Sequence, residues 1–134
     1  MGSIMRHEDW PEKLAKYLSG PHKFNMKRHN CALFVGNWVK EATGLDRTKK
    51  YKRLSKAEMI RLYEERGGWQ GEMESFAEIH PKKAQRGDVA LMNIETLDGC
   101  DTAPGIVMDG RVAVLGERGI VFYPIERAIM AWRV

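Results

Sequence analysis

The chain has 134 residues, 43% of them hydrophobic and 30% charged, with a formal net charge of +4 at pH 7. This size and composition are typical of one globular domain, and two cysteines are too few for a disulfide scaffold. The sequence contains no run of 18 apolar residues, so it predicts no membrane-spanning helix. The opening "MGSIMRHEDW" lacks the apolar core of a secretory signal. The positive charge suits nucleic acid, an anionic cell-wall polymer or an acidic protein as partner, and also an ordinary solvated surface.

The first half of the chain has the pattern of helices. The segment "DWPEKLAKYLSG" predicts a helix capped by Asp9, with Glu12 in the capping-box position and Gly20 at the end. The segment "SKAEMIRLYEERGG" predicts another helix, capped by Ser55 and ended by two glycines. We expect "EMESFAEI" to form a short fourth helix before His80.

Between these segments, "NCALFVGNWVKEATG" predicts the central helix of the domain. Asn30 is a favourable N-cap, and Gly44 is a typical stop. Apolar residues occupy most sides of this helix, as expected for one that is buried in the middle of a domain. They are Leu33, Phe34, Val35, Trp38, Val39 and Ala42.

From Gly87 onward the pattern changes to short strands. Five runs are rich in β-branched and apolar residues: "DVALMNI", "PGIVMDG", "RVAVLGE", "GIVFYPI" and "RAIMAWRV". Asp109-Gly110 between two of these runs indicates a hairpin. Helices followed by strands predict an α+β fold, with the central helix packed on a C-terminal antiparallel sheet of about five strands. We expect one domain over residues 1–134, with a helical half at about 9–80 and a sheet half at about 87–134.

Cys31 is the first residue of the predicted central helix. The free backbone N–H groups and the positive end of the helix dipole both favour a thiolate, which is the nucleophilic form of cysteine. Papain-like enzymes present their nucleophile at the start of such a helix and take their base from elsewhere in the chain. Cysteine is also among the most often buried residue types, so an ordinary core role stays open.

The order of these motifs resembles the NlpC-type cysteine peptidases, a papain-like superfamily that acts on cell walls. The resemblance rests on "NCALFVGNWV" for the helix, "QRGDVALM" for the first strand and "PGIVMDGRVAVL" for the hairpin, and it covers nearly the whole chain. In that family a DC or NC pair starts the helix, and a strand of the form HVGIYxG carries the catalytic histidine. A branch of small proteins from tailed bacteriophages is similar also in "AQRGDVALM" and "IERAIMAWRV".

The resemblance implies that Cys31 holds the nucleophile position. It also implies that Asp88 is a turn residue at the opening of the first strand. Gly105 matches the family glycine, which puts Ala103 where the catalytic histidine belongs. The third polar residue of the family is expected on the next strand, and both candidate positions there are apolar, namely Ala113 and Val114. Two of the three catalytic positions are therefore vacant, and the resemblance favours a chain without enzyme activity.

A substitute base has to come from four histidines, which are His7, His22, His29 and His80. His7 lies in a terminus that we expect to fray. His29 and Asn30 are the neighbours that could support Cys31, although the residue before an N-cap usually points away from the first helical side chain. Without a base the reaction loses a factor of about 10² to 10⁴ in rate.

Cys100 lies three residues before Ala103, and the family layout brings it towards Cys31 as a possible disulfide or metal pair. Reduced thiols are the default for a protein made in the cytoplasm. No clustered spacing of cysteine and histidine and no phosphate-binding loop occurs in the sequence. We therefore expect neither a metal nor a cofactor.

Two functions fit these observations. The first is a structural virion protein in the tail tip or baseplate of a tailed phage, made in the cytoplasm of the bacterial host. Its partners would be hub, distal tail or fibre-type subunits, contacted through an exposed apolar terminus such as "AIMAWRV" or through Trp69 if this side chain is exposed. The second is an active cysteine peptidase or amidase that cuts peptidoglycan during genome delivery, with Cys31 attacking the amide and the helix start stabilising the oxyanion. Binding to nucleic acid is disfavoured, because the basic stretches lack interleaved aromatic residues.

Overall fold

Helices precede strands along the chain, and the fold is α+β. The structure is a computed structural model, and it describes residues 6–25, 30–46, 48–51, 54–95 and 101–134. Within these residues the helices are α1 (Trp10–Ser19), α2 (Cys31–Thr43), α3 (Lys56–Glu65) and α4 (Gly68–Glu72). The strands are β1 (Ala77–Ile79), β2 (Val89–Asn93), β3 (Thr102–Val107), β4 (Arg111–Gly116), β5 (Gly119–Pro124) and β6 (Ala128–Arg133). Short 3₁₀ helices cover Lys49–Tyr51, Pro81–Lys83 and Ile125–Arg127.

The strands form one antiparallel sheet in the order β1-β6-β2-β3-β4-β5. The central helix α2 packs on β3 and β4, and α1 packs against α2 from the outside. Within the described residues, no helix combines the length and the hydrophobicity that are needed to cross a bilayer.

The helix α2 forms as its sequence predicts. Asn30 caps it, Gly44 ends it in the left-handed conformation, and all six apolar residues named above are buried. The Nε1–H of Trp38 donates a hydrogen bond of 2.8 Å to the carbonyl of Gly87, which joins the middle of α2 to the turn before β2. The capping box of Ser55 and Glu58 on α3 is also present. The side chain of Asp9 makes no capping hydrogen bond on α1, in contrast to the prediction.

Among the described residues, buried side chains form two clusters, and alternate residues of the same strand belong to different clusters. The helix–sheet core contains Leu14, Phe34, Val35, Trp38, Val39, Ala42, Met73, Phe76, Val89, Leu91, Ile106, Ala113, Leu115, Trp132 and Val134. The second core contains Ala90, Met92, Ile94, Ala103, Val107, Val112, Val114 and Ala131. Successive side chains of a strand point to opposite faces, so the sheet is covered by apolar packing on both sides.

The segment "EMESFAEI" is not a fourth helix. The helix α4 ends at Glu72, and Ala77–Ile79 form β1, which pairs with Arg133–Ala131 of β6. A partner strand that lies more than 50 residues away in the chain supplies the backbone hydrogen bonds here, and tertiary pairing of this kind overrides local propensity. In the part of the chain that the structure describes, the sheet therefore has six strands, where the sequence pattern predicts about five.

The C-terminal "AIMAWRV" is not an exposed terminus. It forms β6, an interior strand between β1 and β2, and Ala131, Trp132 and Val134 are buried. Only Ile129 of this segment is a large exposed apolar residue. Trp69 is partly buried as well, because it packs on the helix–sheet core and meets the ring of Tyr63 edge to face. Neither feature is a free docking surface.

Asp88 is a fully buried carboxylate at the start of β2. One oxygen accepts hydrogen bonds from the Arg6 guanidinium at 2.5 Å and from the Val134 backbone N–H at 3.1 Å, and the other accepts from the Gln85 N–H at 2.8 Å. Arg6 also donates to the carbonyls of Val134 and Arg86. Burial lowers the pKa of Arg6, and the Asp88 carboxylate opposes that shift. One carboxylate thus joins Arg6, the turn before β2 and Val134, the residue that follows β6.

Candidate functional site

The start of α2 carries the one candidate nucleophile within the described residues. Cys31 is the first residue of this helix and is partly exposed, and it packs against the second core. Its position therefore agrees with the expected presentation of a thiol at the positive end of a buried helix.

Asn30 fixes the place of Cys31. Its side-chain oxygen accepts a hydrogen bond of 2.9 Å from the N–H of Leu33, and its amide nitrogen lies 3.3 Å from the sulfur of Met59 on α3. Only 4% of the residue is exposed. Both polar ends of Asn30 are thus engaged in holding the helix start against α3, which makes Asn30 a positioning residue.

Ala103 lies on β3 and belongs to the same apolar cluster against which Cys31 packs. It is 1% exposed and stands opposite Met92 in the β2–β3 pairing. Gly105, two residues on, has no room for a side chain, because a Cβ there would lie 2.5 Å from Val112 Cγ1 and 2.7 Å from the carbonyl oxygen of Ala113. The strand that should carry the base is therefore closely packed and apolar.

The expected third catalytic position is also filled by packing. Ala113 is fully buried in the helix–sheet core, and Val114, 4% exposed, is buried in the second core. Neither side chain can accept or orient a proton, so the vacancies inferred from the sequence coincide with closed core positions.

Two of the histidines lie far from the start of α2. His7 is not frayed, because its N–H donates a 2.7 Å hydrogen bond to the carbonyl of Ala42 in the last turn of the helix, about 17 Å from Cys31 at the usual helical rise. His80 follows β1 and accepts from the N–H of Lys82. Since β1 and β3 are three strand positions apart, His80 is about 14 Å from the line of Ala103.

His22 is the described histidine that meets the first turns of α2. Its Nε2 lies 2.5 Å from the carbonyl oxygen of Tyr17, and its ring meets the ring of Phe34 edge to face. Tyr17 in turn donates its hydroxyl to the carbonyl of Phe34, and burial raises the pKa of this hydroxyl. These two contacts join His22 to residues that link α1 to the helix–sheet core, while Cys31 packs against the second core.

His29 and Cys100, the remaining predicted supporting residues, lie outside the described residues. Among the residues that are described, no group of three or more histidine, cysteine, aspartate or glutamate side chains could hold a metal ion. A groove of about 910 Å³ beside His80 and a pocket of about 620 Å³ beside Arg6 do not include Cys31 or Ala103 among their described lining residues.

Sequence reasoning missed two features. It assigned Asp88 a turn role and gave no sign of its ion pair with Arg6, because the partner lies 82 residues away in the chain. It also missed Met59 as the contact that completes the packing of Asn30. The one sequence feature that pointed to Asp88 was the Gly87-Asp88 pair directly before an apolar strand.

A family model described as a domain of unknown function, DUF6950, matches residues 5–134. No curated protein matches the chain.

Proposed function

The chain belongs to the DUF6950 family, a domain of unknown function, and we propose that it is a structural protein of a tailed-phage virion. The proposal places it in the tail tip or baseplate near the hub, with a peptidase-like fold that no longer catalyses hydrolysis. The phage assignment rests on the resemblance of "AQRGDVALM" and "IERAIMAWRV" to small phage proteins.

One observation supports the proposal that the chain no longer catalyses hydrolysis, and it is the packing around Ala103. A cysteine peptidase needs a base that takes the thiol proton and later protonates the leaving amine. The residue at the family histidine position is Ala103, which is 1% exposed in an apolar cluster. The two candidates for the third catalytic position, Ala113 and Val114, are also apolar and buried. A helix start can favour the thiolate, but it cannot carry protons to a leaving group.

The alternative is an active cysteine peptidase or amidase that cuts cell-wall peptides during genome delivery. The observation in its favour is that Cys31 is partly exposed at the first position of α2, where backbone N–H groups could also stabilise an oxyanion. In such an enzyme the catalytic base would have to come from a position other than 103, because Ala103 cannot take up a proton.

Hydrolysis of peptidoglycan by the purified chain separates the two functions. We expect the release of new amino groups to be the same for the wild-type chain, for Cys31→Ser and for a sample without protein. Cys31→Ser keeps the size of the side chain and is therefore matched in packing. Turnover by the wild-type chain that Cys31→Ser abolishes would contradict the structural proposal, because loss of the thiol alone would then have removed an activity.

A further inference from the structure

We draw no further inference here: the strongest candidate, the largely apolar groove of about 910 Å³ that lies beside His80 and is lined in part by the 3₁₀ helices Pro81–Lys83 and Ile125–Arg127, carries none, because nothing in the described part of the chain shows what covers it.

Discussion

Replacing Asp88 with alanine should lower the free energy of unfolding by about 3 to 5 kcal/mol, the usual cost of removing one partner from a buried ion pair. The substitution leaves the guanidinium of Arg6 without its counter-charge in a site where only 13% of the arginine side chain is exposed. It also leaves the N–H groups of Gln85 and Val134 without their acceptor. Urea denaturation of the wild-type and variant chains measures the loss.

Asp101→Ala is the control for this experiment, since Asp101 is exposed and its removal should change stability by less than about 0.5 kcal/mol. A double-mutant cycle with Arg6→Ala should give a coupling energy above about 1 kcal/mol, because the two side chains are in direct contact. A cost below about 1 kcal/mol for Asp88→Ala would mean that the carboxylate does not hold the chain ends together.

Introducing histidine at position 103 should destabilise the chain by about 3 kcal/mol and should not create hydrolytic activity. The imidazole needs space that the second core does not offer, and overpacking of a core costs about 1 to 3 kcal/mol. Its ring nitrogens also need hydrogen-bond partners, and a buried polar group without them costs about as much again. The neighbours in this cluster are apolar, including Met92, Val107 and Val114.

Ala77→His is the matched control, because Ala77 is an exposed residue of β1 and its replacement should be nearly neutral. Thermal unfolding of the two variants gives the comparison. If Ala103→His were as stable as the wild-type chain and hydrolysed peptidoglycan, the space for a base would still exist, and the site would have to be regarded as latent.

The sequence alone was sufficient for the parts of the fold that depend on local pattern. The six buried residues of α2, its cap at Asn30 and its stop at Gly44 all follow from the spacing of apolar residues and from capping chemistry. The five apolar runs after Gly87 are five strands of the sheet, because short runs rich in β-branched and apolar residues between turn residues are a strong strand signal.

The parts that escaped prediction depend on contacts between distant residues. Nothing local distinguishes "AEI" of β1 from the end of a helix, since its pairing with β6 is decided by the whole sheet. For the same reason a terminal apolar segment was expected to be exposed, whereas β6 lies between two strands. The ion pair of Arg6 with Asp88 joins residues that lie 82 positions apart in the sequence and leaves no periodic trace.

The candidate site was predictable in composition but not in packing. The resemblance to NlpC-type peptidases located Cys31 and pointed to Ala103 as the vacant position. The structure adds that this position is closed by apolar side chains and that both polar ends of Asn30 are engaged at the helix start. Because position 103 holds a buried alanine among apolar side chains, we expect that no residue at this position transfers a proton to or from Cys31.

The most direct test of the structural proposal is the titre of infectious particles from a phage or prophage whose own copy of this gene is deleted. The deletion is complemented with the wild-type chain or with Cys31→Ala. We expect no infectious particles without complementation and equal titres with the two chains, since the protein would be needed for its place in the tail and not for its thiol. A Cys31→Ala chain that is incorporated into tails at the normal amount but yields no infectious particles would contradict the proposal.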